Sequence, residues 1–189
     1  TSFGMSYAYA QLHWLLDEAW HGDELSDTFR HAVMAATKFV DMPLYALQEY
    51  CYGGQGPAPT NWAADRALAQ HPAFAADADP LLFTGEMFFP WMFREISSLK
   101  PFAGAAELLA AADDWPALFD PQRLAANEVP LRAVVYFDDM YVDADLSLQT
   151  ARAIGNTRVW VTNEFEHNGI AADGAKVLDR LMGMATGRY

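Results

Sequence analysis

The chain has 189 residues, 52% of them hydrophobic and 14% aromatic, enough apolar material for a sizeable core and too much for a disordered tail. Twelve basic residues against 25 acidic ones leave a formal net charge of −13, a sign that repels phosphate backbones and argues against a nucleic-acid partner. The lone cysteine, Cys51, allows no internal disulfide and suits a reducing compartment such as the cytoplasm, and the sequence has no apolar run long enough for a membrane span.

Residues 5–20 read as a helix, because Tyr9, Leu12, Leu15, Leu16 and Ala19 recur at helical spacing; Gly22 then breaks the run. Ser26-Asp27 is a cap for a second helix reaching about Val40, with Phe29, Val33, Met34 and Ala36 along it. Pro43 suits the first turn of a third helix over 43–51. The stretch Gly53-Gly54-Gln55-Gly56-Pro57 is a loop, and Asn61 can cap a fourth helix ending before His71-Pro72. An Asp-rich loop leads to Pro80, an apolar segment runs from Leu81 to Phe93, and helices are expected over 102–112 and 121–127.

Beyond Pro130 the character changes. Leu131 to Phe137 is a short β-rich run, and a helix from about Leu146 to Ile154 ends at Gly155. Thr157 to Thr162 is a second strand. A helix over 172–185 follows, with Val177, Leu178, Leu181 and Met182 expected on one face. Strand–helix–strand–helix order is the signature of a parallel sheet, so the fold class is α/β. Two parallel strands alone leave long unpaired edges, and sheets of this kind are normally covered on both faces. The rest of the sheet is therefore expected upstream of this sequence.

Catalytic groups of open α/β sheets gather at the C-terminal ends of strands. Two such ends are legible, Phe137-Asp138-Asp139-Met140 and Asn163-Glu164-Phe165-Glu166-His167-Asn168-Gly169. Asp139 and His167 stand 28 positions apart with one helix between them. A carboxylate after one strand and a histidine after the next is the order of the last two members of a hydrolase triad. Spacing alone leaves the plainer reading open, in which the aspartates are turn formers and the histidine is an ordinary loop residue.

Several segments then match one family in the right order. Asn127-Glu128-Val129-Pro130, Tyr136-Phe137-Asp138-Asp139-Met140-Tyr141-Val142 and Trp160 to Gly169 resemble the C-terminal region of proline iminopeptidases (prolyl aminopeptidases) of the α/β-hydrolase class. Phe83-Thr84-Gly85-Glu86-Met87, Pro90-Trp91-Met92-Phe93 and Leu12-His13-Trp14-Leu15-Leu16 extend the resemblance over nearly the whole chain. It implies a serine peptidase that removes an N-terminal proline from a small peptide. It also implies a helical cap over residues 1–125, the end of the hydrolase core over 126–189, and no cofactor. Asp139 becomes the expected acid, Asp138 its rival, and His167 the general base.

The family pattern also requires a Gly-x-Ser-x-Gly elbow and a glycine-rich oxyanion segment, and this sequence contains neither. Ser2, within Thr1-Ser2-Phe3-Gly4, has no preceding strand and is not assigned as a nucleophile. The chain alone is expected to be inactive, with the N-terminal half of the core as its missing partner.

A free N-terminal amine calls for a partly buried carboxylate, the role of cap glutamates in this family. Glu86, alone in an apolar run, is the first candidate and Glu49 the second; Trp91 and Phe89 are the candidate walls for a proline ring. The bland alternatives are solvated helix charges and ordinary core rings. His13, Asp17 and His21 recur every four residues, which on one helix face could hold a metal, but without a His-Glu-x-x-His signature no metal site is assigned. Other α/β-hydrolase activities, such as esterase or amidase, fit the same acid–histidine pair. A non-catalytic helical binding module is the alternative outside enzymes.

Overall fold

The segment from Phe88 to Leu99 carries most of the large buried side chains of the helical part of the protein: Phe88, Phe89, Met92, Phe93 and Leu99. The structure is a computed structural model and describes residues 5, 8–40, 46–53 and 56–189. Ser2, Pro43, Gly54 and Gln55 lie outside the described residues, so the expected opening of the third helix and the middle of the glycine loop do too. Contacts divide the chain into two units, Trp14–Leu118 and a second one of Thr1–His13 with Phe119–Tyr189.

In the first unit the helices are short. Helix α1 (Ala8–Asp17), whose residues up to His13 count with the second unit, stops before residue 20, because the chain turns into a small antiparallel hairpin, β1 (Trp20–His21) and β2 (Glu24–Leu25). Gly22, at φ 65°, makes the turn that a residue with a Cβ would resist. Ser26 accepts a hydrogen bond from Phe29 N at 3.0 Å and so caps α2 (Asp27–Thr37). After α3 (Glu49–Tyr52), Asn61 does not cap as expected. It takes a left-handed conformation, and its N–H goes to Ala110 O at 2.8 Å, tying the entry of α4 (Ala63–Leu68) to the end of α6 (Ala103–Ala111). Pro90 occupies the first turn of α5 (Pro90–Glu95), where its missing N–H costs nothing. Residues 81–89 are irregular rather than helical.

The second unit follows the expected order. Asp120 caps α7 (Pro121–Ala125) through Arg123 N at 2.9 Å, and Asp143 caps α8 (Ala144–Ala153) through Leu146 N at 2.9 Å. Strands β3 (Leu131–Tyr136) and β4 (Thr157–Thr162) pair in parallel, Leu131 against Thr157 through Tyr136 against Thr162. The Asn127 amide donates to Val129 O at 2.7 Å and Gly155 O at 2.8 Å, joining the entry to β3 with the entry to β4. Gly155 is required there, since a Cβ would stand 2.6 Å from the carbonyls of Ala125 and Asn127.

Helix α9 (Gly169–Thr186) is kinked at Asp173, whose carboxylate accepts Lys176 N at 3.0 Å and recaps the helix. Val177 is fully buried, Met184 is buried and Leu181 half-buried, a stripe at i, i+4 and i+7. Leu178 and Met182, expected on that face, are exposed, because the buried stripe is narrower than the run of apolar residues suggests. The architecture is thus α/β, with a small parallel sheet. No helix of the described residues is long and apolar enough to cross a membrane.

Candidate active site

The turn leaving β3 and the loop leaving β4 meet at Asp139 and His167. His167 Nδ1 lies 3.0 Å from Asp139 Oδ2 and 3.3 Å from Oδ1. Asp139 is held for this by its own backbone surroundings: its Oδ1 accepts the N–H groups of Tyr141 at 2.8 Å and Val142 at 3.0 Å, an Asx-type turn that fixes the carboxylate. Only 6% of the Asp139 side chain is exposed, against 45% of the His167 side chain. The carboxylate is therefore enclosed and the imidazole open on one side. The Tyr141 ring packs on the imidazole, with centroids 4.9 Å apart.

The loop that carries His167 is pinned at both ends. Lys176 Nζ reaches back from α9 to Glu164 Oε1 at 2.8 Å. At the other end Gly169 lies flat against Tyr136, and a Cβ there would fall 2.2 Å from the phenol oxygen. Tyr136 in turn meets Phe165 edge-on at 6.0 Å. Burial, and secondarily the charge of Asp139, raises the Tyr136 phenol above its ordinary value.

Such an arrangement has a definite chemical competence. A carboxylate on Nδ1 selects the tautomer with the proton on that nitrogen, and it stabilises the imidazolium that forms when Nε2 takes a proton. Nε2 makes no hydrogen bond to any described residue. Asp138, the rival acid, is exposed and makes no hydrogen bond or ion pair with any described residue.

Two further residues at this turn escaped sequence reasoning. Glu166, directly before the histidine, has its Oε2 enclosed without a hydrogen-bond partner. Burial, and then the charge of Asp138, raises its carboxyl above the ordinary value of 4.5. Tyr9 of α1 donates its hydroxyl to Met140 Sδ, and burial together with the charges of Glu166, Asp138 and Asp139 raises its phenol. The adjacency of Glu166 to His167 was visible in the sequence; nothing there linked Tyr9 to a turn 131 positions away.

The remaining candidates lie in the helical unit. Glu49 is 2% exposed; its Oε2 accepts the Thr60 hydroxyl, and its Oε1 is enclosed without a partner. Thr60 is itself tied down by Arg66, whose Nε and one terminal nitrogen donate to its carbonyl at 3.0 and 2.9 Å. Glu86 is half-buried in the irregular segment after Gly85. Phe89 belongs to the core cluster with Phe88 and Phe93, whereas Trp91 is exposed on α5. A small apolar cavity of about 80 Å³, which neither Phe89 nor Trp91 lines, opens between Leu68, His71, Phe74, Thr84 and Met87. His21 lies on β1, beyond the end of α1, so it does not share a helix face with His13 and Asp17.

No family model matches the chain. It is 43% identical over 183 residues, 95% of its length, to a proline iminopeptidase of Aeromonas sobria. It is 34% identical over 146 residues, 75% of its length, to a proline iminopeptidase of Aspergillus aculeatus. The chain spans 42% of the first relative and 32% of the second.

Proposed function

Since the chain belongs to the proline iminopeptidase family, we propose that it is the C-terminal part of a prolyl aminopeptidase, a serine peptidase of the α/β-hydrolase type that releases N-terminal proline from peptides. Asp139 is the triad acid and His167 the general base, with Asp138 outside the triad. The observation that carries this reading is the hydrogen bond from His167 Nδ1 to an enclosed Asp139 carboxylate at 3.0 Å, with Nε2 bonded to no described residue.

The nucleophilic serine and the oxyanion donors would come from an N-terminal half of the core, outside these 189 residues. The share of each relative that the chain covers supports such a half, and so does the apolar groove of about 530 Å³ between β3 and α8. Leu131, Val142 and Leu146 line that groove and stand exposed, an arrangement that a fuller sheet would cover. The helical region up to residue 125 acts as the cap and 126–189 as the end of the core.

Recognition of the substrate falls to the cap carboxylates. Glu49 carries the stronger physical case, because an enclosed carboxylate oxygen without a donor is costly unless a cation or donor arrives. Glu86 is the second carboxylate in this role. Trp91 and Phe89 are the aromatic side chains assigned to the ring of the substrate, Trp91 from the exposed side of α5.

The direct test is hydrolysis by the protein as its source makes it. Proline arylamide should be cleaved and its N-acetyl counterpart spared. Cleavage of the blocked substrate at an equal rate would move the assignment to a general amidase or esterase. No cleavage of either by a preparation that contains a Gly-x-Ser-x-Gly segment would remove the peptidase reading.

A further inference from the structure

We propose that the face formed by the first half of β3 and β4 and the last turns of α9 is a binding site for a small oxyanion, a carboxylate or a phosphate, gripped by Arg158 and Arg180. In a chain with 25 acidic and 12 basic residues, a cation has many carboxylates to pair with. Arg30 pairs with Asp27, Lys176 with Glu164 and Arg188 with Asp179. Among the described residues, Arg158 and Arg180 pair with no carboxylate and donate no hydrogen bond.

Their placement makes this more than chance exposure. Arg158 stands in register directly beside Arg132 on the neighbouring strand, and like charges so placed repel. Arg132 spends its donors on neutral carbonyls, those of Leu131 at 2.7 Å, Asn156 at 3.0 Å and Met184 at 3.2 Å, so no carboxylate offsets the pair. Arg180 reaches over from α9 and lies on the Tyr189 ring at 4.3 Å and near the Trp160 ring at 5.8 Å. Its Nε is enclosed and has no acceptor.

Arg158 and Trp160 are two apart on a strand and so project from one face. With Arg180, Met184 and Tyr189 they line an open cavity of about 440 Å³. Aromatic contacts on the guanidinium pre-orient a planar fork whose geometry matches a carboxylate or phosphate. An anion seated there supplies the missing acceptor and relieves the Arg132–Arg158 repulsion. Arg132 and Arg158 are the second residues of their strands, whereas Asp139 and His167 follow the strands' last residues, so the paired arginines stand toward the opposite end of the sheet from the candidate active site.

The experiment is calorimetric titration of the full-length protein with inorganic phosphate and, separately, with benzoate, at an ionic strength held constant with sodium chloride. Saturable binding of at least one is expected, weakened at least 10-fold in R158Q and in R180Q. R180K, which keeps the charge but loses the fork, should bind between wild type and R180Q. Phosphate alone would assign a phosphate-bearing ligand, and benzoate alone a carboxylate on an aromatic body. Arg158 is exposed and makes no hydrogen bond to any described residue, so R158Q keeps the fold and decides the matter should R180Q unfold. Absence of saturable binding by both anions, or undiminished binding in R158Q, overturns the proposal. H167A should bind the anion as the wild type does, which separates this site from the peptidase reading.

Discussion

Asp139 divides its carboxylate between two tasks: Oδ2 takes the Nδ1 of His167 at 3.0 Å, while Oδ1 takes the backbone N–H groups of Tyr141 and Val142 at 2.8 and 3.0 Å. The second task fixes the geometry of the first. Asp138, one position earlier, has neither. In the full-length protein, D139N should lower kcat on proline arylamide by about 10³–10⁴-fold, because the amide stabilises the wrong tautomer and no imidazolium. H167A should fall at least as far, and D138N should stay within roughly threefold, the small change usual for a surface site. A D138N loss as large as that of D139N would exchange their roles.

Gly169 gives way to the Tyr136 phenol, where a Cβ would collide at 2.2 Å. G169A is expected to cost about 1–3 kcal/mol of stability, the usual range for overpacking a tight contact. Because Gly169 ends the histidine loop, kcat should fall alongside the thermal midpoint. Thermal denaturation and kinetics on one preparation check both; a G169A protein with an unchanged midpoint would contradict the contact.

The carboxyl of Glu166 is raised, first by burial and then by the charge of Asp138. A raised acid favours folding while protonated, and its contribution is lost as pH climbs through the folded-state value. E166Q, which cannot ionise, should therefore gain stability relative to wild type as pH rises from about the ordinary glutamate value of 4.5, and match it below. Denaturant midpoints of both proteins at pH 4 and pH 7 measure this. A difference that is equal at both pH values would show that ionisation of Glu166 plays no part.

Thr60 supplies the hydrogen bond given to the buried Glu49. T60V leaves that carboxylate without its donor and should cost about 1–3 kcal/mol. It should also lower the thermal midpoint of the helical unit.

For substrate reading, E49Q and E86Q should each reduce kcat/KM on free prolyl substrates by about 10–100-fold, the scale of one charge-assisted contact. Neither should change the slow hydrolysis of p-nitrophenyl acetate, an activated ester that has no amine to bind. Equal losses on both substrates would assign these residues to the fold rather than to the amine.

Much of the second unit was legible in the sequence, because its signals are local. The β-rich run from Leu131, the helix expected over 121–127 and the order strand–helix–strand–helix depend on neighbours a few residues apart. The helical unit was less legible. Its helices are short, and the hairpin at Gly22 and the left-handed Asn61 arise from contacts such as Asn61 N to Ala110 O, 49 positions apart.

The sequence by itself determined which chemistry is available: an acid after one strand, a histidine after the next, and carboxylates embedded in apolar stretches. Only the tertiary structure shows that Asp139 rather than Asp138 meets His167, since adjacent residues have the same spacing to His167 within one position but lie in different surroundings. The same holds for Glu49, whose burial against Thr60 no helical pattern could reveal. It holds too for Arg132, Arg158 and Arg180, which parallel register and the packing of α9 bring to one face from three separate elements. Local propensity sets the elements; the pairing of distant charges depends on how those elements meet, and that information exists only once the chain has folded.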